Sequence, residues 1–316
     1  MQPSLAPSIP AEPYIFTRND PFDRSKPVEF VVPQLVSSKD YMCSIRDYRV
    51  PEGSVAIWFM GQNGFIVKDS VSPLIGIDLY LTNSCAVNYY SLPFRVDRQL
   101  PVFIEPEDLD IDVFITTHSH QDHADPETIR RMQKPDCRLF IGPYDSCLLY
   151  EQHGVDERAR RLIHPGQSIE IGATTVCATF ALPTDKTDLN HTGMLLTFSS
   201  GISFFNSGDT AWAESLPALL PDFVDICAVC INGGYHNLPP EQAAHIVKAV
   251  NARVAIPCHY DLMINNVGSP EMFKIALERS GASAKFQMLR YYEPWLYARD
   301  TTEHNPKAGE MDEPIS

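Results

Sequence analysis

The run Thr117-His118-Ser119-His120-Gln121-Asp122-His123-Ala124-Asp125 constrains this chain more than any other stretch. It follows an apolar segment in which Val113-Phe114-Ile115 reads as a buried strand. It leads into Asp125-Pro126-Glu127, a helix N-cap with proline at the first helical position. Its three histidines and two acids therefore sit where a strand turns into a helix. Residues two apart on an extended segment point the same way, so His118 and His120 can grip one ion together. Asp122 and His123 are consecutive, lie where the chain begins to coil, and point elsewhere, toward a second ion. The competing reading is a polar loop that happens to be rich in histidine, and it weakens with each further ligand found at a strand end.

Such ligands recur along the chain. Residues 55–68 read as a β-hairpin whose turn, Gly61-Gln62-Asn63-Gly64, either faces a site through Gln62 and Asn63 or is an ordinary turn. Residues 74–80 form a third strand that carries Asp78 near its end, and 81–108 is a long aperiodic insertion containing Arg95 and Arg98. A polar loop, 183–190, holds Lys186 and ends at His191, just before the apolar Met194-Leu195-Leu196. Asp209 closes the next strand in Ser207-Gly208-Asp209-Thr210. The strand 226–231 runs into a turn bearing His236, then into a helix whose Ala243, Ile246, Val247 and Val250 share one buried face, with His245 opposite. The strand 254–256 delivers His259, Tyr260 and Asp261, and 286–297 reads as a final strand.

Composition narrows the classes of function. At 316 residues, with 44% hydrophobic and 21% charged side chains, the chain can bury a large core. A formal charge of -15 leaves no basic excess for nucleic acid or an anionic membrane, so the expected partner is a small-molecule substrate. The N-terminus has no basic-then-apolar export pattern, and a cytoplasmic location is expected. Eight scattered cysteines read as reduced thiols, and the Cys227/Cys230 pair lies inside an apolar strand and reads as core. A proline-rich arm (1–50), a catalytic domain (51–298) and a polar tail (299–316) complete the expected organisation.

Strands joined both by tight turns and by helices require mixed sheets. His118, His120, Asp122, His123, His191, Asp209 and His259 all fall at strand ends, enough nitrogen and oxygen ligands for two ions, with Asp209 suited to bridge them. These motifs, in this order from about Val55 to Tyr297, resemble the metallo-β-lactamase superfamily. The resemblance implies an α/β fold, a four-layer αββα sandwich of two mixed sheets flanked by helices. Segments 50–61, 111–118 and 255–261 further resemble the L-ascorbate-6-phosphate lactonase-like branch. That likeness implies a cytoplasmic, metal-dependent, homo-oligomeric hydrolase using two zinc or manganese ions, with iron also compatible with such ligands.

Carried over by position, His118, His120 and His191 would hold the first ion, with His236 as the competitor of His191. Asp122, His123 and His259 would hold the second, Asp209 would bridge, and Asp78 and Tyr260 would orient a ligand or substrate. Asp122, His123 and Asp209 are thus the expected catalytic residues. A bridging hydroxide would open a small cyclic ester, a lactone of the sugar-phosphate or a related type, while Asp122 or a metal-held water protonates the leaving oxygen. Arg95, Arg98 and Lys186 would bind an anionic group. The alternative is a phosphodiesterase acting on a small or cyclic nucleotide.

Overall fold

A computed structural model describes residues 37–132, 138–266 and 268–299 of the chain. Among these residues the strands form two sheets of seven. The first holds β1 (Ser54–Gly61), β2 (Gly64–Asp69), β3 (Ile75–Ile77), β4 (Val113–Ile115), β5 (Leu139–Gly142) and β6 (Arg160–Leu162). The second holds β7 (Ser168–Ile171), β8 (Thr174–Phe180), β9 (Thr192–Thr197), β10 (Ser203–Asn206), β11 (Ile226–Cys230), β12 (Val254–Cys258) and β13 (Lys285–Phe286). β14 (Pro294–Ala298) then returns to the first sheet beside β1.

Both sheets are mixed in the same way. In the first, β14, β1, β2 and β3 pair antiparallel and β3 to β6 run parallel. In the second, β7 to β10 pair antiparallel and β10 to β13 run parallel. Every residue of β1 and of β11 is buried, as expected of strands covered on both faces, which show apolar runs in place of alternation. The inner faces meet where the Phe65 ring of β2 packs edge-on against Phe204 of β10, 5.5 Å between centroids. Helices α1 (Ser38–Asp47), α2 (Ser84–Asn88), α3 (Pro126–Arg131), α4 (Tyr144–Gln152), α5 (Pro240–Ala249) and α6 (Pro270–Ser280) complete the layers, giving the expected fold. The predicted face of α5 is buried and His245 is exposed. No helix among the described residues is long and apolar enough to cross a membrane.

Local readings differ from the structure where tertiary contacts outweigh the local pattern. Residues 1–36 of the expected arm and 300–316 of the expected tail lie outside the described residues. From Ser37 on, however, the chain is not extended: α1 buries Tyr41, Met42 and Ile45. Lys68 Nζ donates to the Ile45 and Arg46 carbonyls at its C-terminus, at 3.0 and 2.8 Å. Arg299 is likewise anchored, its guanidinium gripping both oxygens of buried Asp225 at 2.7 Å. β3 stops at Ile77 because Asp78 takes φ 46° to turn its carboxylate inward. The single strand expected over 286–297 is two strands in different sheets; the chain crosses between them with Tyr292 at φ 62°.

The parallel strands of both sheets end on one side, so β3, β4, β10, β11 and β12 all release their C-terminal loops around one cleft. In open α/β sheets such a cleft is where ligands bind.

Candidate metal centre

The chain approaches this cleft closely enough that one position must be glycine. Gly208 sits at φ +58°, and a Cβ there would lie 2.6 Å from the Thr192 carbonyl oxygen and 2.9 Å from Thr117 Cβ. That contact lets the loop carrying Asp209 from β10 rest against the start of the His118 loop from β4. The two sheets thus bring their acids and histidines together.

One cluster joins Asp122, His123, His259 and Asp209. His123 Nε2 lies 3.5 Å from Asp122 Oδ2 and 3.4 Å from Asp209 Oδ1. His259 Nε2 lies 3.4 and 3.3 Å from the same two oxygens. A tetrahedral ion with bonds of about 2.1 Å spaces its ligands about 3.4 Å apart, so these four atoms have the spacing of a coordination shell. Burial opposes charge on His123 and His259, but Asp209 and Asp122 outweigh it, raising the first well above the usual imidazole value and the second to about 9. Burial would raise the two carboxyls, yet the cations beside them hold both well below the usual range. A dication placed there would substitute for those protons.

The second cluster is made of imidazoles. Ligand atoms of His118, His120 and His191 lie within 4.8 Å of one another. Burial first, then mutual repulsion, pushes His118 well below its usual value, and burial lowers His191. His118 and His191 are therefore neutral at pH 7, the form that binds a metal. His191 Nδ1 faces the Asp209 carbonyl at 2.9 Å, and His120 Nε2 meets Thr187 Oγ1 at 3.0 Å. Those bonds leave His191 Nε2 and His120 Nδ1 for an ion. Nε2 of His118, His123 and His191 and Oδ1 of Asp209 are buried without a hydrogen-bond partner. Leaving such a group unpaired costs about 1–3 kcal/mol each, so the residues present fit bound metal.

Supporting contacts fix the ligands from behind. Asp78, fully buried, accepts from Thr117 N at 2.7 Å, Thr117 Oγ1 at 2.6 Å and Asn63 Nδ2 at 2.7 Å, and meets His123 Nδ1 at 2.7 Å. Gln62, at φ 55°, donates from Nε2 to Asp122 Oδ2 at 2.7 Å and accepts from Asn266 Nδ2 at 2.7 Å. The hairpin turn therefore faces the site. Asn237, Asn232, Thr187 and Asp188 are supports that the sequence did not single out. Asn237 Nδ2 reaches Asp209 Oδ2 at 2.6 Å, Asn232 reaches His259 Nδ1 at 2.9 Å, and Asp188 accepts from Ser119 N at 2.7 Å. Each sits one or a few residues from a ligand or strand end, which was their only signal. Cys230, read as core, is buried and also brings Sγ within 4.8 Å of ligand atoms of Asp209 and His259.

Other expected residues lie elsewhere. His236 is exposed with Nδ1 toward the Thr184 carbonyl, 3.2 Å away, so the imidazole cluster forms with His191. Tyr260 is buried among Phe59 and Tyr291, at 5.8 and 6.1 Å between ring centroids, and packs the core instead of orienting a ligand. Lys186 is exposed and outside the cavity wall. Arg98 is buried and donates to the carbonyls of Tyr80 and Leu100 and to the Tyr292 hydroxyl, at 2.5, 2.8 and 2.9 Å, which removes it from any anion-binding role. Above the clusters opens a cavity of about 270 Å³ that Gln62, Asp122, Asp209 and His259 help to line.

Two mixed sheets that converge on buried histidines and carboxylates with coordination spacing define a metallohydrolase of the sandwich type. The Beta-lactamase superfamily domain model matches residues 75–260. A UPF0173 metal-dependent hydrolase of Thermoplasma acidophilum is 27% identical over 185 residues, 58% of this chain and 80% of the relative. A UPF0173 protein of Pyrococcus furiosus is 30% identical over 205 residues, 62% of this chain and 91% of the relative. Among solved structures, Igni18, a metallo hydrolase of Ignicoccus hospitalis, shares the fold with a TM-score of 0.61 at 19% identity, covering 78% of this chain and all of that one. The chain belongs to the metallo-β-lactamase superfamily, in its UPF0173 metal-dependent hydrolase family.

Proposed function

We propose that this metal-dependent hydrolase works with two divalent ions, zinc or manganese, and opens a small cyclic ester. The observation that carries the proposal is the position of Asp209, whose Oδ1 lies 3.3–3.4 Å from ligand atoms of one cluster. It also shares a group with His118 and His123 within 4.8 Å. His118, His120 and His191 would hold one ion, Asp122, His123 and His259 the other, and Asp209 would be shared between them. When bound, the ions supply Lewis-acid polarisation of the electrophile and an acidic water.

The chain's own residues position and move the proton. Gln62 occupies Asp122 Oδ2 with an N–H, which leaves Oδ1 to take the proton of the attacking water and return it to the leaving oxygen. Because its neighbours hold Asp122 ionised, it begins the cycle as an acceptor, not as a stored acid. Asp78 keeps His123 from turning. The lactonase-like segments and the modest cavity support a small lactone, and the 81–108 insertion closes one side of that cavity. Elemental analysis followed by a hydrolysis panel of lactones, phosphodiesters and thioesters with the resident metal tests this. Two ions per chain and preferred lactone opening are expected. One ion per chain, or faster turnover of a phosphodiester, would overturn it.

A further inference from the structure

We propose that the cavity above the centre takes an uncharged substrate that combines hydroxyl groups with an apolar carbon body. This rests on the cyclic-ester reading and adds the charge and polarity of the ester. A phosphorylated lactone, the first expectation from the sequence, is then a poor substrate.

The polar side of the cavity asks for a hydrogen-bond donor. Asn265 Nδ2 donates to the Tyr235 hydroxyl at 2.7 Å, while its Oδ1 is buried and has no partner. Both residues line the cavity. An unpaired carboxamide oxygen is satisfied by a ligand O–H, whereas phosphate oxygens at neutral pH offer mainly lone pairs. Asp185 also lines the cavity, its carboxylate accepting from Thr187 N and Oγ1 at 2.7 Å and lying 3.4 Å from His120 Nε2. A second anion placed beside it is repelled.

The basic side chains expected to bind an anion lie off the cavity wall, Lys186 among them. Arg98 spends its guanidinium on carbonyls and Tyr292, and Arg95 Nε sits on Asp97 at 2.8 Å. Among the described residues, the wall contains no lysine or arginine. The formal charge of -15 adds long-range repulsion of anions. Leu92, Val96, Met263 and Tyr89 also line the cavity, and such a surface binds a carbon skeleton, not a solvated phosphate.

The experiment uses the metal-loaded full chain and two matched pairs. For turnover, a neutral sugar δ-lactone is compared with its 6-phosphate. For binding, calorimetry compares the cyclic ether analogue, which cannot be opened, with its own 6-phosphate. The neutral member of each pair is expected to be favoured by about tenfold or more. Equal or tighter binding of the phosphorylated ring overturns the proposal. Binding preference for the neutral ring with no lactone opened supports the cavity assignment and sinks the cyclic-ester reading instead. Asn265→Ala should weaken binding of the hydroxylated ring by about 3–10-fold and leave a deoxy ring unaffected. Equal losses for both rings would overturn the assigned contact.

Discussion

Asp78 Oδ2 lies 2.7 Å from His123 Nδ1, and both side chains are fully buried. A carboxylate behind an imidazole holds the proton on Nδ1 and leaves Nε2 free for a metal. The same carboxylate accepts from Thr117 and from Asn63, so one side chain at the end of β3 aligns the ligand loop after β4 and the hairpin between β1 and β2.

Asp78→Asn keeps the volume and removes the charge. Metal affinity should then fall about 10–100-fold, because His123 loses its fixed tautomer. Competition titration against a chelator measures it, with circular dichroism confirming the fold. Wild-type affinity in the variant would show that Asp78 only fills space.

Metal uptake should release protons. With its folded value raised to about 9, His259 is protonated at pH 7 in the metal-free chain, as is His123, whose value is also raised. Apparent metal affinity should therefore rise with pH toward about 9, by up to about tenfold per unit for each proton displaced. The same shift affects stability. A raised histidine contributes stability that is fully present below its unfolded value of about 6.5 and is lost as pH rises through the folded value. The melting temperature of metal-free protein should fall over that window, and that of loaded protein should not. Calorimetry in two buffers of different ionisation enthalpy counts the protons; none released at pH 7 would contradict the assignment.

How much of this was legible in the sequence depends on range. His118, His120, Asp122 and His123 announce themselves because strand, ligands and helix cap are contiguous, and the fold follows from alternating turn and helix connections. Asp209 and His259 were visible as acids and histidines at strand ends. Arg98 and Tyr260 were misread because local sequence cannot say whether a polar group meets solvent, a site or a buried carbonyl. Nothing near Arg98 reveals that Tyr80, Leu100 and Tyr292 surround it. Asn265, Asn237 and Asn232 gain meaning only when two sheets close on them. Glu293-Pro294 marks the crossing near Tyr292, but the apolar and aromatic residues further out on both sides, Met288, Leu289, Trp295 and Leu296, read as one strand.

Gly208→Ala should damage the centre without touching a ligand. The added methyl would meet the Thr192 carbonyl and Thr117, and the positive φ penalises any Cβ. Loss of about 1–3 kcal/mol in a denaturant titration is expected, together with weaker metal binding as Asp209 is pushed off position. Unchanged stability would mean that the loop yields freely and that the close approach is not required.

Gln62 separates a backbone effect from a side-chain effect. It is held at φ 55° while its carboxamide bridges Asp122 and Asn266. Gln62→Ala and Gln62→Gly remove the same two hydrogen bonds, so both should lose a similar factor in kcat/KM, about tenfold or more, from a less firmly held Asp122. They differ in strain. Alanine keeps the left-handed penalty and glycine relieves it, so the glycine variant should be the more stable of the two by about 1 kcal/mol. Denaturation midpoints and steady-state kinetics on both proteins give the two answers independently. Equal stabilities would mean that the turn relaxes out of its left-handed conformation once the carboxamide is gone. In that case the bonds to Asp122 and Asn266, and not the packing of the hairpin, hold Gln62 in place.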